Sequence, residues 1–269
     1  MWPGRFDRAR SIAALDPITD RHLIARTLTE YEFPWDMMRS LELALFRTYA
    51  VPSIGALLYR TGKFATAAQQ RYDDTVLMLT EIWSDGADSP RGRPAVAELN
   101  RLHGQYHISN ADFLYTLATF VVMPVRWNAS FCWRRFTPAE VQAWTGSMTA
   151  MGQAMGITGI PSSYEGFSEL LDDYEAVHFR YLPAGRAVAD ATLDLMASWW
   201  PRPLRRIVRW GSTFLLDDHL LDALGLARPP SLLRALARFG LRLRALVIRL
   251  GRPRPEGRPF VYTARGVAA

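Results

Sequence analysis

Cysteine occurs once in this 269-residue sequence, at Cys132. A single thiol cannot form an intramolecular disulfide, and the cysteine pairs that bind structural zinc are missing. No basic and apolar leader precedes the first helical pattern, so we expect a cytoplasmic protein in a reducing compartment. No Gly-rich phosphate loop follows a strand and no Gly-x-Ser-x-Gly turn is present, so nucleotide-binding and hydrolase functions lack their usual signatures.

Long apolar runs are also missing. The longest run, from Phe113 to Val125, holds about a dozen mostly apolar residues and contains Pro124, whereas a membrane-spanning helix needs roughly 20 apolar residues. We therefore predict a buried core helix at this position. No internal repeat is visible, which argues against a helical solenoid.

The net charge of +6 is distributed unevenly. Residues 1–198 contain 18 basic and 22 acidic side chains, whereas residues 199–269 contain 14 basic and 4 acidic side chains. Within this basic part, apolar residues from Leu232 to Val247 recur at helical spacing between arginines. Two interpretations stay open, because such a helix can pack on the domain or lie on an anionic membrane at the inner face of the cell. We expect no nucleic-acid partner.

Apolar residues recur at intervals of three and four along the whole chain, and strict alternation is rare, so the sequence predicts an all-α fold. Its length and its 49% hydrophobic content suffice for one large core. We predict a single-domain multi-helix bundle with a buried central helix pair. That pair consists of a helix over about Ala95 to Tyr106 and a helix that begins near Asn110 and ends at Pro124.

Proline, glycine and capping residues predict several helix ends. A helix is predicted to begin at Phe33–Asp36 and another at Thr137–Glu140, and Gly62 is predicted to end a helix in the left-handed conformation. Further helices are predicted from Ser162 or Ser163 through Tyr181 and from Leu204 to Leu224.

Two of the five histidines fall on predicted inward faces. His103 lies on an apolar stripe, where it is either a core histidine with a hydrogen-bond partner or a metal ligand or acid–base group. His178 ends the sequence Glu175-Ala176-Val177-His178, a spacing that puts two ligands of a carboxylate-bridged iron site on one helix face. No second such pair exists, so a polar patch on a half-buried helix is the alternative.

Four other polar residues near these helices are candidates for catalysis: Arg101, Asp112, Tyr115 and Thr116. The Arg101 guanidinium offers a forked donor for a haem propionate or a substrate carboxylate, or it pairs with Glu98 one turn away. Hydroxyl groups on a buried helix need partners, so the two hydroxyl residues either orient oxygen or substrate in a pocket or bond a backbone carbonyl one turn back. Asp112 stands three residues after Ser109 in a capping-box-like helix start.

Seven segments, in the same order, resemble bacterial MpaB-type oxygenases, which are relatives of the latex-clearing rubber oxygenases. The similarity covers roughly residues 28–255. Its segments are Glu32–Asp36, Ala50–Ile54, Arg71–Thr75, Asn100–Leu117, Pro124–Trp127, Met155–Ile157 and Phe214–Asp218, of which Asn100–Leu117 is the most specific. The resemblance implies a catalytic domain at residues 28–255, an N-terminal extension at residues 1–27 and a C-terminal tail at residues 256–269.

The resemblance also implies a function and a cofactor. We expect an oxygenase that uses haem b and molecular oxygen to oxidise or cleave a carbon–carbon double bond of a hydrophobic, isoprenoid-like substrate. This chain has Leu117 where the haem-binding branch has its proximal histidine. His103 is therefore the first candidate for the axial metal ligand and His178 the second, with Arg101 for a propionate, unless this branch uses another cofactor or none.

Two other classes of function stay open. One is a non-catalytic lipid- or isoprenoid-binding helical protein that keeps the pocket without its metal. The other is a protein that acts at the membrane surface through its basic C-terminal helix.

Overall fold

The computed structural model describes residues 4–262, and within them the chain forms helices and no β-strand, which confirms the predicted all-α class. Fourteen α-helices follow one another in this part of the chain. The first seven are α1 (Asp7–Ala13), α2 (Arg21–Thr27), α3 (Pro34–Tyr49), α4 (Pro52–Arg60), α5 (Lys63–Thr66), α6 (Ala68–Asp85) and α7 (Gly92–His103). The others are α8 (Asn110–Phe131), α9 (Pro138–Ala154), α10 (Tyr164–His178), α11 (Pro183–Ser198), α12 (Arg205–Gly211), α13 (Asp218–Ala223) and α14 (Ser231–Leu250). A π-helical turn, Leu28–Glu32, follows α2 directly, and Phe33 separates this turn from α3.

The centre of the bundle is the packed pair α3 and α8. The interior side chains of α8, among them Tyr115 and Val121, are fully buried, and α10 and α9 cover its other sides. The buried residues of α7, among them Ala95 and Val96, all lie in its first half, and Leu99 packs on the core partly buried. The helix that we predicted beside α8 at the centre packs mainly on α6. The predicted starts of α3 and α9 are confirmed, with a complete capping box between Thr137 and Glu140.

The helix α8 continues for seven residues beyond Pro124, where we predicted its end. A proline lacks the N–H that would bond the carbonyl four residues back, and this usually stops or kinks a helix. Here the indole Nε1–H of Trp144 donates to the Phe120 carbonyl at 3.2 Å. The acceptor that Pro124 leaves unpaired is therefore satisfied from α9, and the helix can pass through the proline.

Two other predicted helices differ from the observed ones. The predicted helix over Leu204 to Leu224 is divided into α12 and α13, because Asp217 takes an extended conformation and accepts a hydrogen bond from the Leu220 N–H as the N-cap of α13. The helix α10 ends at His178, before the predicted Tyr181, because Phe179 leaves the helical conformation and turns into the core.

Segments outside the predicted domain boundaries also pack on the bundle. In α2, Ile24 and Ala25 belong to the core, and the Phe260 N–H donates to the Glu30 carbonyl at 2.9 Å. The boundaries at residues 28 and 255 stay a prediction. Within residues 4–262 no single helix is long and apolar enough to cross a bilayer, and α3 and α4 pass that test only as a pair bent by 97°.

Candidate functional site

A cavity of about 420 Å³ lies between several helices. They are α3, α4, α5, α6, α11, the C-terminal halves of α7 and α9, and the N-terminal half of α8. Most of its wall is apolar, with contributions from Leu41, Leu79, Phe113, Phe120, Met151 and Met155. A volume and a lining of this kind suit a hydrophobic small molecule.

Several polar side chains interrupt this apolar wall. Those with acidic, basic or aromatic groups include Glu42, Arg60, Lys63, Arg71, Tyr72, His103, His107 and Asp112. Three of them are cationic, and two of these, Arg60 and Lys63, are also exposed to solvent. The cavity therefore combines an apolar interior with basic groups that reach the outside.

His103 is half-buried at the end of α7, and its Nδ1 lies 2.9 Å from the Leu99 carbonyl oxygen. Burial lowers the pKa of His103 below its ordinary 6.5, and the charge of Arg71 acts in the same direction. The ring is therefore neutral at pH 7, and its proton resides on Nδ1, where it is donated to the carbonyl. This leaves Nε2 unprotonated, in the tautomer that metal-binding histidines use. The edge of Phe113 supports the ring, with 5.5 Å between the two centroids.

Glu42 is a buried carboxyl group in the cavity wall. The Tyr72 hydroxyl donates to Glu42 Oε1 at 2.9 Å, and Arg39 lies 2.6 Å from the same oxygen. Burial raises the pKa of Glu42 to about 7, although the charge of Arg39 lowers it. Glu42 can therefore hold or release a proton near neutral pH, which is the range that acid–base chemistry requires.

Sequence reasoning missed Glu42, Tyr72 and Arg71 as site residues. A signal was present for Glu42, since it is a lone carboxylate between apolar residues in Leu41–Phe46. A charge on the apolar side of a core helix points to a partner or a cavity. Arg71 and Tyr72 lie in one of the segments that carry the family resemblance, but their place in the cavity depends on how α6 packs against α7 and α11.

Two of the predicted site residues line the cavity together with His103. Asp112 accepts hydrogen bonds on Oδ1 from Ser53 at 2.8 Å and from Tyr174 at 2.9 Å. Thr116 also lines the cavity, and its hydroxyl donates to the Asp112 carbonyl at 2.8 Å, one turn back. Thr116 therefore lies at the cavity, but its hydroxyl bonds a backbone carbonyl one turn back, which is the second of the two interpretations given for it above.

Arg101 lies outside the cavity. Its side chain is 61% exposed, and Nε and Nη2 bond the two carboxylate oxygens of Glu98 at 2.7 and 2.6 Å. The physical reason is the i, i+3 spacing, which lets the two side chains meet on the solvent face of α7. The structure therefore favours the ion-pair interpretation of Arg101.

Tyr115 is completely buried and does not belong to the cavity lining of the described residues. Its hydroxyl donates to Glu175 Oε1 at 3.1 Å. Glu175 also accepts from Nε of Arg47 at 2.6 Å, and Arg47 reaches Asp217 at 2.5 Å. This network joins α8, α10, α3 and the cap of α13, so the Tyr115 hydroxyl holds helices together.

The expectation that His178 faces the interior is wrong. His178 is the last residue of α10 and is exposed, and its ring stacks on Tyr174 with 4.1 Å between centroids. The next residue, Phe179, fills the inward position instead. Glu175 is buried and binds Arg47, whereas His178 lies at the surface. The two residues of the predicted iron pair therefore do not face the same site. No group of three or more potential metal ligands occurs within residues 4–262.

Comparison with known proteins assigns the fold and a family. The profile described as "ER-bound oxygenase mpaB/B'/Rubber oxygenase, catalytic domain" matches residues 35–245. The ER-bound oxygenase mpaB' of Penicillium brevicompactum is 32% identical over 252 residues, which cover 87% of this chain and 60% of the relative. The ER-bound oxygenase mpaB of the same fungus is 34% identical over 200 residues, covering 67% of this chain and 51% of the relative. This chain thus spans between about half and three-fifths of their length.

Among solved structures, latex clearing protein LCP in the closed state superposes with a TM-score of 0.60. The superposition covers 94% of this chain and 75% of that protein at 16% sequence identity. At this identity the likeness shows a shared all-α fold.

Proposed function

This chain belongs to the family of the mpaB/B' and rubber oxygenase catalytic domain, and on that premise we propose that it is an oxygenase. The proposed reaction is the oxidation or cleavage of a carbon–carbon double bond in a hydrophobic, isoprenoid-like substrate by molecular oxygen. The observation that carries the proposal is the 420 Å³ apolar cavity with a neutral histidine, His103, in its wall.

Haem b is the cofactor that we propose, and the residues of the cavity fit it. His103 would hold the haem iron through Nε2, since Nδ1 already donates to the Leu99 carbonyl. Basic side chains in the lining, such as Arg60 and Arg71, would pair with the propionates, and the apolar wall suits the porphyrin faces. When bound, haem would supply the oxygen chemistry.

The chain's own residues would position the substrate and manage protons. The apolar wall binds a hydrocarbon chain and keeps water away from it. Glu42, which is buried and has a pKa of about 7, would accept or return a proton at its carboxyl oxygens, and the Tyr72 hydroxyl holds that carboxyl group in place.

Haem binding tests the cofactor assignment. Haemin is titrated into the purified protein, and the Soret band and the spin state are recorded. We expect a one-to-one complex whose Soret band is lost or shifted in His103→Ala. The variants His22→Ala and His178→Ala remove exposed histidines that do not line the cavity, so both should give the parent spectrum. His107→Ala removes the other histidine of the lining, and a spectrum changed in that variant alone would show that His107, and not His103, binds the haem.

Product analysis tests the reaction. The haem-loaded protein is incubated with oxygen and short polyprenyl substrates, and carbonyl or hydroxylated products are sought by mass spectrometry. If apolar chains bind in the cavity but are recovered unchanged, the protein is a non-catalytic carrier of such ligands. No haem binding together with no ligand binding would reject both functions.

A further inference from the structure

The helix α14 exposes a continuous apolar face to solvent. Its large exposed side chains are Leu232, Leu236, Phe239, Leu243, Leu246, Val247 and Leu250, and Leu250 is 81% exposed. Six of them follow one another at intervals of four and three residues, so they form one stripe along the whole length of the helix. In a surface helix of an ordinary soluble domain, such a stripe faces the core.

The opposite side of α14 already packs on the domain. Ala245 is buried, and Leu233, Leu241 and Ile248 are half-buried. Two arginines fasten this side, since Arg234 donates to the Leu216 carbonyl at 2.8 Å and Arg244 lies 3.0 Å from Asp36. The guanidinium of Arg244 also covers the ring of Trp35 at 3.9 Å. The outer apolar stripe is therefore presented by a helix that is already fixed in place.

Three further arginines form a row along one edge of the stripe. Arg238, Arg242 and Arg249 are spaced by four and seven residues, are exposed, and form no ion pair within residues 4–262. The twenty residues of α14 contain five arginines and no aspartate or glutamate. The exposed face is thus apolar along its centre and purely cationic at its edge.

This charge pattern selects the partner. A second copy of the chain could in principle cover a stripe with four–three spacing, as in a coiled coil. Antiparallel pairing of two α14 helices would bring the arginine rows together. Parallel pairing would place each row beside the other edge of the partner helix. Neither arrangement supplies an acidic side chain from α14 to balance the arginines. An anionic lipid surface supplies both an apolar layer for the stripe and negative headgroups for the arginines.

We propose that α14 is a docking helix for an anionic membrane surface. It lies in the plane of the interface, with Leu236, Phe239 and Leu243 in the upper acyl region and the arginine row among the headgroups. The long arginine side chains reach the headgroups from the edge of the stripe. Because α14 is folded and fixed before contact, docking requires no folding step.

Vesicle binding by the full-length protein tests the proposal. Co-sedimentation is measured with vesicles of phosphatidylcholine alone and of phosphatidylcholine mixed with phosphatidylglycerol. We expect binding to the anionic vesicles only and release at about 0.5 M NaCl, where charge interactions are screened within about 4 Å. The triple variant Arg238→Gln/Arg242→Gln/Arg249→Gln should lower the partition coefficient roughly 100-fold, at about fivefold for each arginine.

Matched variants separate the location of the charges from their number. Arg10→Gln/Arg91→Gln/Arg101→Gln removes three exposed arginines outside α14, so it changes the net charge equally and should leave binding close to that of the parent. For the stripe, Leu236→Asn/Leu243→Asn should weaken binding at least roughly tenfold. The control Ile18→Asn/Val177→Asn changes two exposed apolar residues elsewhere and should have little effect. Circular dichroism verifies that each variant is folded.

A label on the stripe reports insertion directly. Burial raises the pKa of Cys132 well above its ordinary value, so a thiol introduced as Leu243→Cys is the more reactive one. A polarity-sensitive dye on it should shift its emission to the blue with anionic vesicles, whereas the same dye on Val177→Cys should not. Equal binding to neutral vesicles, or no binding to either kind, would overturn the proposal. A dimer that forms without lipid and dissociates in Leu236→Asn/Leu243→Asn would also overturn it, in favour of a second copy.

Discussion

Arg47 of α3 and Glu175 of α10, 128 residues apart in the sequence, form a buried ion pair in which Nε lies 2.6 Å from Oε1. The same carboxylate accepts the Tyr115 hydroxyl, and the same guanidinium reaches Asp217 at the start of α13. One charged pair thus connects four helices that are distant in sequence. Its charges compensate each other, so the loss of either one leaves a buried charge.

We predict that Glu175→Gln lowers the free energy of unfolding by roughly 3–5 kcal/mol, because Arg47 then stays buried without its main counter-charge. Urea denaturation of the parent and the variant measures this change. The control is Glu98→Gln, which removes one partner of the exposed pair with Arg101 and should lower the free energy of unfolding far less, because solvent screens an exposed ion pair. Equal losses in the two variants would show that burial does not set the strength of the Arg47 network.

A second prediction concerns the proline inside α8. In Trp144→Phe, the Phe120 carbonyl loses the indole donor that replaces the missing N–H of Pro124, at a cost of roughly 1–3 kcal/mol. Pro124→Ala restores a backbone N–H to the helix, so it should be more stabilising in the Trp144→Phe background than in the parent. A double-mutant cycle in urea measures this coupling. Additivity within about 0.5 kcal/mol would show that the two residues do not compensate each other.

The helix ends show which parts of the fold the local sequence determines. The starts of α3 and α9 are predicted correctly because the proline or the capping box that sets each start lies within four residues of it. The end of α8 is predicted wrongly because the residue that lets the helix continue past Pro124 is Trp144, which lies twenty residues later in the sequence. No periodicity rule includes a donor from another helix.

The residues of the candidate site differ in the same way: those placed by their own helix are predicted correctly, and those placed by other segments are not. His103 falls on the cavity as its apolar stripe predicts, because that stripe belongs to one helix. His178 has a similar stripe, but its orientation depends on the chain leaving the helix at Phe179. Glu42 joins the cavity because α6 brings Tyr72 to it from another part of the chain, and the sequence of α3 alone does not specify that contact.

A third prediction concerns the crossing of α4 and α11. A Cβ atom on Gly185 would overlap the Tyr49 carbonyl oxygen, and Gly55 approaches the same carbonyl from the other helix. Gly185→Ala should therefore destabilise the protein by roughly 1–3 kcal/mol, since backbone must move to make room. The control Gly240→Ala lies within α14 with no atom near the added methyl group and should stabilise the protein by up to about 1 kcal/mol through helix propensity. Thermal unfolding of both variants measures the effects. A stable Gly185→Ala variant would mean that the two helices can separate at no cost.

The last prediction concerns the pH dependence of stability through Glu42. In the folded protein, burial raises the pKa of Glu42 from an ordinary 4.5 to about 7. The ionised form is therefore less favourable in the folded chain than in the unfolded chain. The parent loses stability relative to Glu42→Gln as the pH rises from 4.5 to 7, and the difference is constant above that range. Its upper limit is roughly 3 kcal/mol, at 1.36 kcal/mol for each unit of pKa shift.

Unfolding free energies of the parent and of Glu42→Gln, measured by urea denaturation between pH 4 and pH 8, test this sign. The quantity that matters is the change in their difference with pH, because losses from the substitution that do not depend on pH cancel in it. The control Glu98→Gln should change in the opposite direction and by less, because the hydrogen bond from Arg101 lowers the pKa of the exposed Glu98. A difference between parent and Glu42→Gln that stays constant from pH 4 to pH 8 would show that Glu42 titrates at its ordinary pKa. Glu42 would then be fully ionised at neutral pH and unsuited to return a proton in the cavity.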